Sequence, residues 1–121
     1  MDGRRELGRR GEALAAELLE AQGLTIVERN FRCRAGEIDL VALDGATLVF
    51  VEVRSRRGDR VGTPFESVDP RKQIRLTRVA RHFLAARGCA ERDVRFDVVG
   101  IRFDAEPPAL EHLRGAFEAA G

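Results

Sequence analysis

The stretch from Glu37 to Arg54 constrains the fold more than any other part of the chain. Two apolar runs, Glu37-Ile38-Asp39-Leu40-Val41-Ala42-Leu43 and Leu48-Val49-Phe50-Val51-Glu52-Val53-Arg54, flank Asp44-Gly45-Ala46-Thr47. An Asp-Gly pair between apolar segments is a strong short-range signal for a β-hairpin. Leu48-Val49-Phe50-Val51 shows no polar alternation, so this strand is expected to be buried on both faces. A strand covered on both sides needs layers above and below its sheet, and the rest of the chain supplies them.

Residues 4–22 read as a helix, with Leu7, Gly11, Leu14 and Leu18 at helical spacing beside Ala15 and Leu19, and Gly23 as its stop. Residues 24–31 read as a strand, and Arg32-Cys33-Arg34-Ala35-Gly36 as a turn. After the hairpin, residues 55–68 form a polar, basic loop. Asp69-Pro70 then gives an N-cap followed by proline at the first helical position. That helix runs to about Arg87, with Ile74, Leu76, Val79, Ala80, Phe83 and Leu84 on its core side. Val94 to Phe103 is a further strand. Pro107-Pro108 breaks the chain, and Ala109 to Phe117 has no decisive period. The order α-β-β-β-α-β predicts an α/β fold in which a mixed sheet is flanked by helices. A length of 121 residues makes it one domain, 1–121.

No apolar run is long enough to span a membrane, and the charged N-terminal stretch lacks the apolar region of a secretory signal, so a cytoplasmic location is expected. Cys33 and Cys89 match no metal-ligand spacing and are expected as free thiols.

Charged groups inside apolar strands are costly unless paired or bound to a cation, and the hairpin carries Asp39 on one arm and Glu52 on the other. If the loop spans residues 44–47, Leu43 faces Leu48 and Asp39 faces Glu52. A tighter turn makes the two carboxylates diagonal neighbours, still on one face. Two carboxylates that close repel each other or share a proton, a conflict that a divalent cation resolves. Arg54 lies two residues past Glu52, on the same face, where it can hold a phosphate. A cross-strand ion pair, Asp39–Arg54 or Glu37–Arg54, is the alternative use of these charges. Glu12 shares a helical stripe with Gly8, Ala15 and Leu19, which turns it toward the sheet or leaves it as a boundary glutamate in water.

The net charge of +1 hides an uneven distribution. Between Arg54 and Arg87 there are ten basic residues against three acidic ones. Arg71, Arg75, Arg78 and His82 fall at i, i+4, i+7 and i+11 of the second helix, and Lys72 and Arg81 widen the stripe. With Arg56 and Arg57 in the preceding loop, this is a surface suited to a phosphate backbone. The chain has no Trp or Tyr on which bases could stack, which weakens a single-strand platform.

Taken with Gly8-Arg9-Arg10-Gly11-Glu12, Arg29-Asn30-Phe31-Arg32, Phe96-Asp97-Val98-Val99 and Glu111-His112-Leu113, the hairpin resembles the YraN-type bacterial proteins. More distantly it is similar to the archaeal Holliday junction resolvases of the PD-(D/E)XK nuclease superfamily. The resemblance implies a restriction-endonuclease-like core and a Mg²⁺- (or Mn²⁺-) dependent phosphodiesterase site. Carried over by position, Asp39 and Glu52 are the metal ligands, with the backbone carbonyl of Val53 completing the inner shell. Glu12 matches an acid on the first helix, and Gln73 loosely matches a helix glutamine. The chain departs from the motif at Arg54, where the superfamily has lysine. Arg stays protonated, so it stabilises phosphate charge and does not serve as a base. The resemblance therefore implies a metal-dependent endonuclease on DNA, with branched or damaged DNA as substrate and a two-fold dimer as assembly, both by analogy with the resolvases. The alternative is a non-catalytic nucleic-acid-binding protein that keeps the fold.

Overall fold

The structure, a computed structural model, describes residues 3–56 and 68–120. In chain order the elements are α1 (Gly3–Ala21), β1 (Thr25–Cys33), β2 (Gly36–Asp44), β3 (Thr47–Arg56), α2 (Pro70–Ala86), β4 (Val94–Arg102) and β5 (Ala109–Phe117). The five strands form one sheet in the order β1-β2-β3-β4-β5. The β3–β4 pair is parallel and the others are antiparallel, as a helical crossover between β3 and β4 requires.

This is the expected α/β architecture, a mixed sheet with a helix on each face, consistent with a restriction-endonuclease-like core. On one face α2 buries Leu76, Val79, Ala80 and Phe83 against Ile38, Phe50 and Val98. Phe83 meets Phe31 and Phe50 edge-on, with ring centroids 5.1 and 5.5 Å apart. On the other face α1 buries Ala15, Ala16 and Leu19 against Leu40, Val51 and Val99. β3 alternates between the two cores, and that explains its unbroken apolar run. Among the described residues no helix is long and apolar enough to cross a membrane.

The buried line of α1 is Gly11-Ala15-Leu19, with Leu14 and Leu18 at its margin. The small residues bring the helix backbone close to the sheet. A Cβ on Gly11 would run into the Ser55 hydroxyl and lie 3.3 Å from Ile101 Cδ1. Gly11→Ala is therefore expected to lower stability by about 1–3 kcal/mol through overpacking, although alanine favours helix. Urea denaturation measures this, and a stabilised variant would show that α1 is free to shift outward.

Two segments differ from the sequence expectation. β1 continues through Arg32 and Cys33, so the turn shrinks to Arg34-Ala35, with Cys33 opposite Gly36. The Arg32–Glu37 ion pair at 2.9 Å spans the added rung. Residues 109–117, which had no decisive period, form the edge strand β5. Its alternation is broken by Gly115 at φ 60° and by a register shift opposite Phe96 and Val98. Most of the basic loop read over residues 55–68 lies outside the described residues.

Candidate metal and nucleic-acid site

The hairpin register places the carboxylates. Leu43 pairs with Leu48 and Leu40 with Val51, and continuing that register sets Asp39 opposite Glu52. Regular pairing stops there. On the β1 side the ladder runs from Arg29–Leu40 to Phe31–Ile38 and steps over Asn30 and Asp39. Asn30 has φ 54°, in the left-handed region that Asn tolerates better than other side-chain-bearing residues. With the strand pairing interrupted, the Asp39 carboxylate takes the place of a backbone acceptor. Val53 N–H donates to Asp39 Oδ2 at 2.7 Å.

Glu52 follows Phe50 on the α2 face and is only 6% exposed. Two cations meet it. Lys72 Nζ lies 2.5 Å from Glu52 Oε2, and Arg54 Nη1 lies 3.3 Å from the same oxygen. Burial, and then the adjacent Glu52 carboxylate, push Asp39 up to about 8, while the Val53 amide works the other way. Asp39 is thus held toward its protonated form at neutral pH. The cleft around it has a volume of about 570 Å³ and is rimmed by Arg32, Arg54, Lys72 and Arg75.

Glu12 approaches the same end of the sheet from α1 but borders a separate cavity of about 270 Å³ beside Val53 and Ser55. Burial raises its pKa, with Glu37 adding to the effect, although Asn30 donates a hydrogen bond to its carboxylate and Arg29 and Arg32 oppose the shift. Glu12 is close enough to help push Asp39 up. It does not join the pair as a third ligand: among the described residues no group of three or more His, Cys, Asp or Glu could hold a metal ion.

The donors present nonetheless fit a hard divalent cation. Mg²⁺ is commonly held by one or two carboxylates, with water and phosphate oxygens making up the rest. Asp39 and Glu52 are two buried carboxylates in electrostatic conflict. A strand residue directs its amide and carbonyl to the same side, so the Val53 carbonyl faces the Asp39 side as its amide does. These are the groups that would hold Mg²⁺ or Mn²⁺.

The remaining expected residues divide. Arg75 lines the cleft, its stem 3.4 Å from where a Cβ on Gly36 would sit. Arg71 and Arg78 are exposed on the same side of α2, at the predicted spacing. Gln73 is turned to local use, donating from Nε2 to the Val68 carbonyl at 3.1 Å and bracing the start of α2. Arg57 and the Arg56 side chain lie outside the described residues. Neither alternative ion pair forms as written: Arg54 pairs with Glu52, and Glu37 with Arg32. Cys33 and Cys89 are free.

Asn30 stood in the sequence only as part of the Arg29-Asn30-Phe31-Arg32 block, beside Glu28 and Arg29, with no role assigned to it. The contact of Lys72 with Glu52 was not foreseen either, since by pattern Lys72 is one more cation on a basic helix face.

The model of the uncharacterised protein family UPF0102 matches residues 11–101, in keeping with the YraN-type resemblance. A UPF0102 protein of Moorella thermoacetica is 50% identical over 116 residues, covering 94% of this chain and 97% of its own. One from Anaeromyxobacter dehalogenans is 48% identical over 120 residues, covering 99% and 90%. One from Geotalea uraniireducens is 45% identical over 117 residues, covering 96% and 92%.

Proposed function

The chain belongs to the uncharacterised protein family UPF0102, and we propose that it is a metal-dependent endonuclease of PD-(D/E)XK type that hydrolyses phosphodiester bonds in cytoplasmic DNA, branched or damaged DNA being the favoured substrate by analogy with the resolvases. One observation carries this reading: two adjoining carboxylates, Asp39 and the buried Glu52, line a cleft whose rim is cationic. A structural ion pair needs opposite charges, whereas two adjoining acids suit a divalent cation and a rim of Arg and Lys suits the phosphate it would activate.

A divalent cation in such a site neutralises charge on the phosphate and makes the attacking water more acidic. Asp39, Glu52 and the Val53 carbonyl would hold it. Arg54 and Arg75 flank the cleft, where they neutralise the phosphate, while exposed Arg71 and Arg78 engage neighbouring phosphates without reading bases. Water adds to phosphorus as the bond to the leaving deoxyribose oxygen breaks. The water's proton leaves to solvent, and the leaving oxygen takes one from solvent.

The direct test is cleavage of plasmid and synthetic four-way-junction DNA in Mg²⁺ and Mn²⁺ by wild type, Asp39→Ala and Glu52→Ala. Loss of more than about a hundredfold in both variants is expected, exceeding the cost of disturbing an outer-shell group alone. Equal cleavage by all three would point to a contaminant. Salt-sensitive DNA binding without cleavage by folded wild type would favour the second reading, a nucleic-acid-binding protein. That reading draws on Arg54 standing where the motif has lysine and on Glu52 being ion-paired.

A further inference from the structure

We propose that Lys72 is the resident counter-ion of the carboxylate pair: its ammonium holds Glu52 in the free protein, yields Glu52 to an arriving divalent cation, and passes to the phosphate of the nucleic acid. The proposal rests on the metal-dependent reading above and specifies how that site is controlled.

Lys72 is the only lysine among the chain's 21 basic residues. At every other basic position arginine serves. The one exception falls on the side chain whose Nζ lies 2.5 Å from Glu52 Oε2. The chemistry of the two residues gives a reason. An arginine fork locks onto a carboxylate through paired hydrogen bonds. A lysine ammonium is a compact point charge on a flexible stem, and it can leave one oxygen for another with little rearrangement.

The local structure fixes the base of this arm and sets its tip against Glu52 at the cleft rim. The Lys72 amide is held by the N-cap, donating to Asp69 Oδ1 at 3.0 Å, and Pro70 stiffens the first turn. The side chain is 20% exposed at the cleft rim, beside Arg54 and Arg75. Arg54 fits the same task less well. It is 31% exposed and sits 3.3 Å from the oxygen that Lys72 meets more closely. Cation and phosphate would then bind cooperatively, because each is favoured by the position of Lys72 that the other promotes, and such coupling is reciprocal.

Mn²⁺ titration by calorimetry tests this on the full chain, comparing wild type with Lys72→Met, Lys72→Gln and Arg54→Met. Both Lys72 variants are expected to bind Mn²⁺ about tenfold more tightly, because a positive charge beside the cation has gone; Arg54→Met should change affinity by less than about threefold. The role of Lys72 is overturned if neither Lys72 variant binds more tightly than wild type, or if Arg54→Met gains as much. Cleavage of four-way-junction DNA is followed in parallel, so the two readings can fail separately. Tighter Mn²⁺ binding in the Lys72 variants, with no cleavage by wild type, sinks the nuclease reading and leaves the counter-ion standing. Cleavage by wild type, with unchanged Mn²⁺ affinity in the variants, overturns the counter-ion alone. Absence of Mn²⁺ binding in every protein overturns both.

Discussion

Asp39→Asn is expected to stabilise the metal-free protein above about pH 8 and to abolish its response to Mg²⁺. Burial, and then the Glu52 carboxylate, push Asp39 from its ordinary 3.8 up to about 8. The folded state therefore keeps a proton that the unfolded chain releases. By linkage, the stability from that proton is fully present below about pH 3.8 and is lost as pH rises through about 8. Asn has no ionised form and can still offer an oxygen to the Val53 amide, so the variant lacks this slope. Its melting temperature should exceed that of wild type by about 5 °C or more at the alkaline end of the window, since one kcal/mol moves a domain of this size by several degrees. Saturating Mg²⁺ should reverse the order. A cation is held by the ionised pair, so wild type gains stability by mass action while Asp39→Asn does not. Scanning calorimetry with and without Mg²⁺ across this range separates the two effects. A wild-type melting temperature that ignores Mg²⁺ above pH 8 would count strongly against the metal site. Coincident wild-type and variant curves in metal-free buffer would count against a proton retained on Asp39.

The parts of this site that were legible in the sequence are the parts set by local chemistry. Turn residues and a period of two are enough to place Leu43 opposite Leu48, and from there Asp39 opposite Glu52 follows by counting. The Asp69-Pro70 start of α2 is equally local: the Asp69 side chain accepts from the Lys72 amide as an N-cap should. Features that depend on packing between distant segments were not legible. Helical spacing left Glu12 open between the sheet and water, and its approach to Asp39 depends on the path of β1 through Asn30. Arg32 could be assigned to Glu37 only once β1 was known to extend to Cys33. The period of β5 is hidden because Gly115 and the register shift displace its side chains, and because an edge strand half in water need not alternate cleanly. Lys72 shows both sides of the matter. Its rarity was visible in the sequence, but its meaning appears only where α2 lies beside Glu52.

The largest loss of stability is expected from Asp97→Ala, whose partners were scattered through the sequence as unrelated charges. The Asp97 side chain is wholly buried. Arg95 donates from Nε to Oδ1 at 2.9 Å and from Nη2 to Oδ2 at 3.1 Å. Gly115 N–H donates to Oδ1 at 3.0 Å, fixing the irregular turn of β5. His112 Nε2 lies 2.8 Å from Oδ2, and its Nδ1 lies 2.7 Å from Gln22 Oε1. One carboxylate thereby joins β4, β5 and the residue following α1. Burial opposes its charged form, but the bonds from His112, Arg95 and Gly115 outweigh burial and hold the carboxyl below its ordinary value. Removing the acid leaves the Gly115 amide and His112 Nε2 without this acceptor and Arg95 with Asp44 as its remaining carboxylate, and breaking a buried charged network of this kind typically costs about 3–5 kcal/mol. Asp97→Asn should cost less, because one oxygen survives to accept. The pH dependence runs opposite to that of Asp39. A depressed carboxyl contributes stability above its unfolded value near 3.8, and that stability is lost as pH falls through the lower folded value. Wild type should therefore lose more stability on acidification than Asp97→Ala does. Urea denaturation across the acidic range measures both the offset and the slope. Asp97 does not line the Asp39–Glu52 cleft, so the folded fraction of Asp97→Ala should bind Mn²⁺ as wild type does. A stability loss below about 1 kcal/mol, the net worth of a single ordinary hydrogen bond, would show that water replaces the carboxylate and that β5 docks without it.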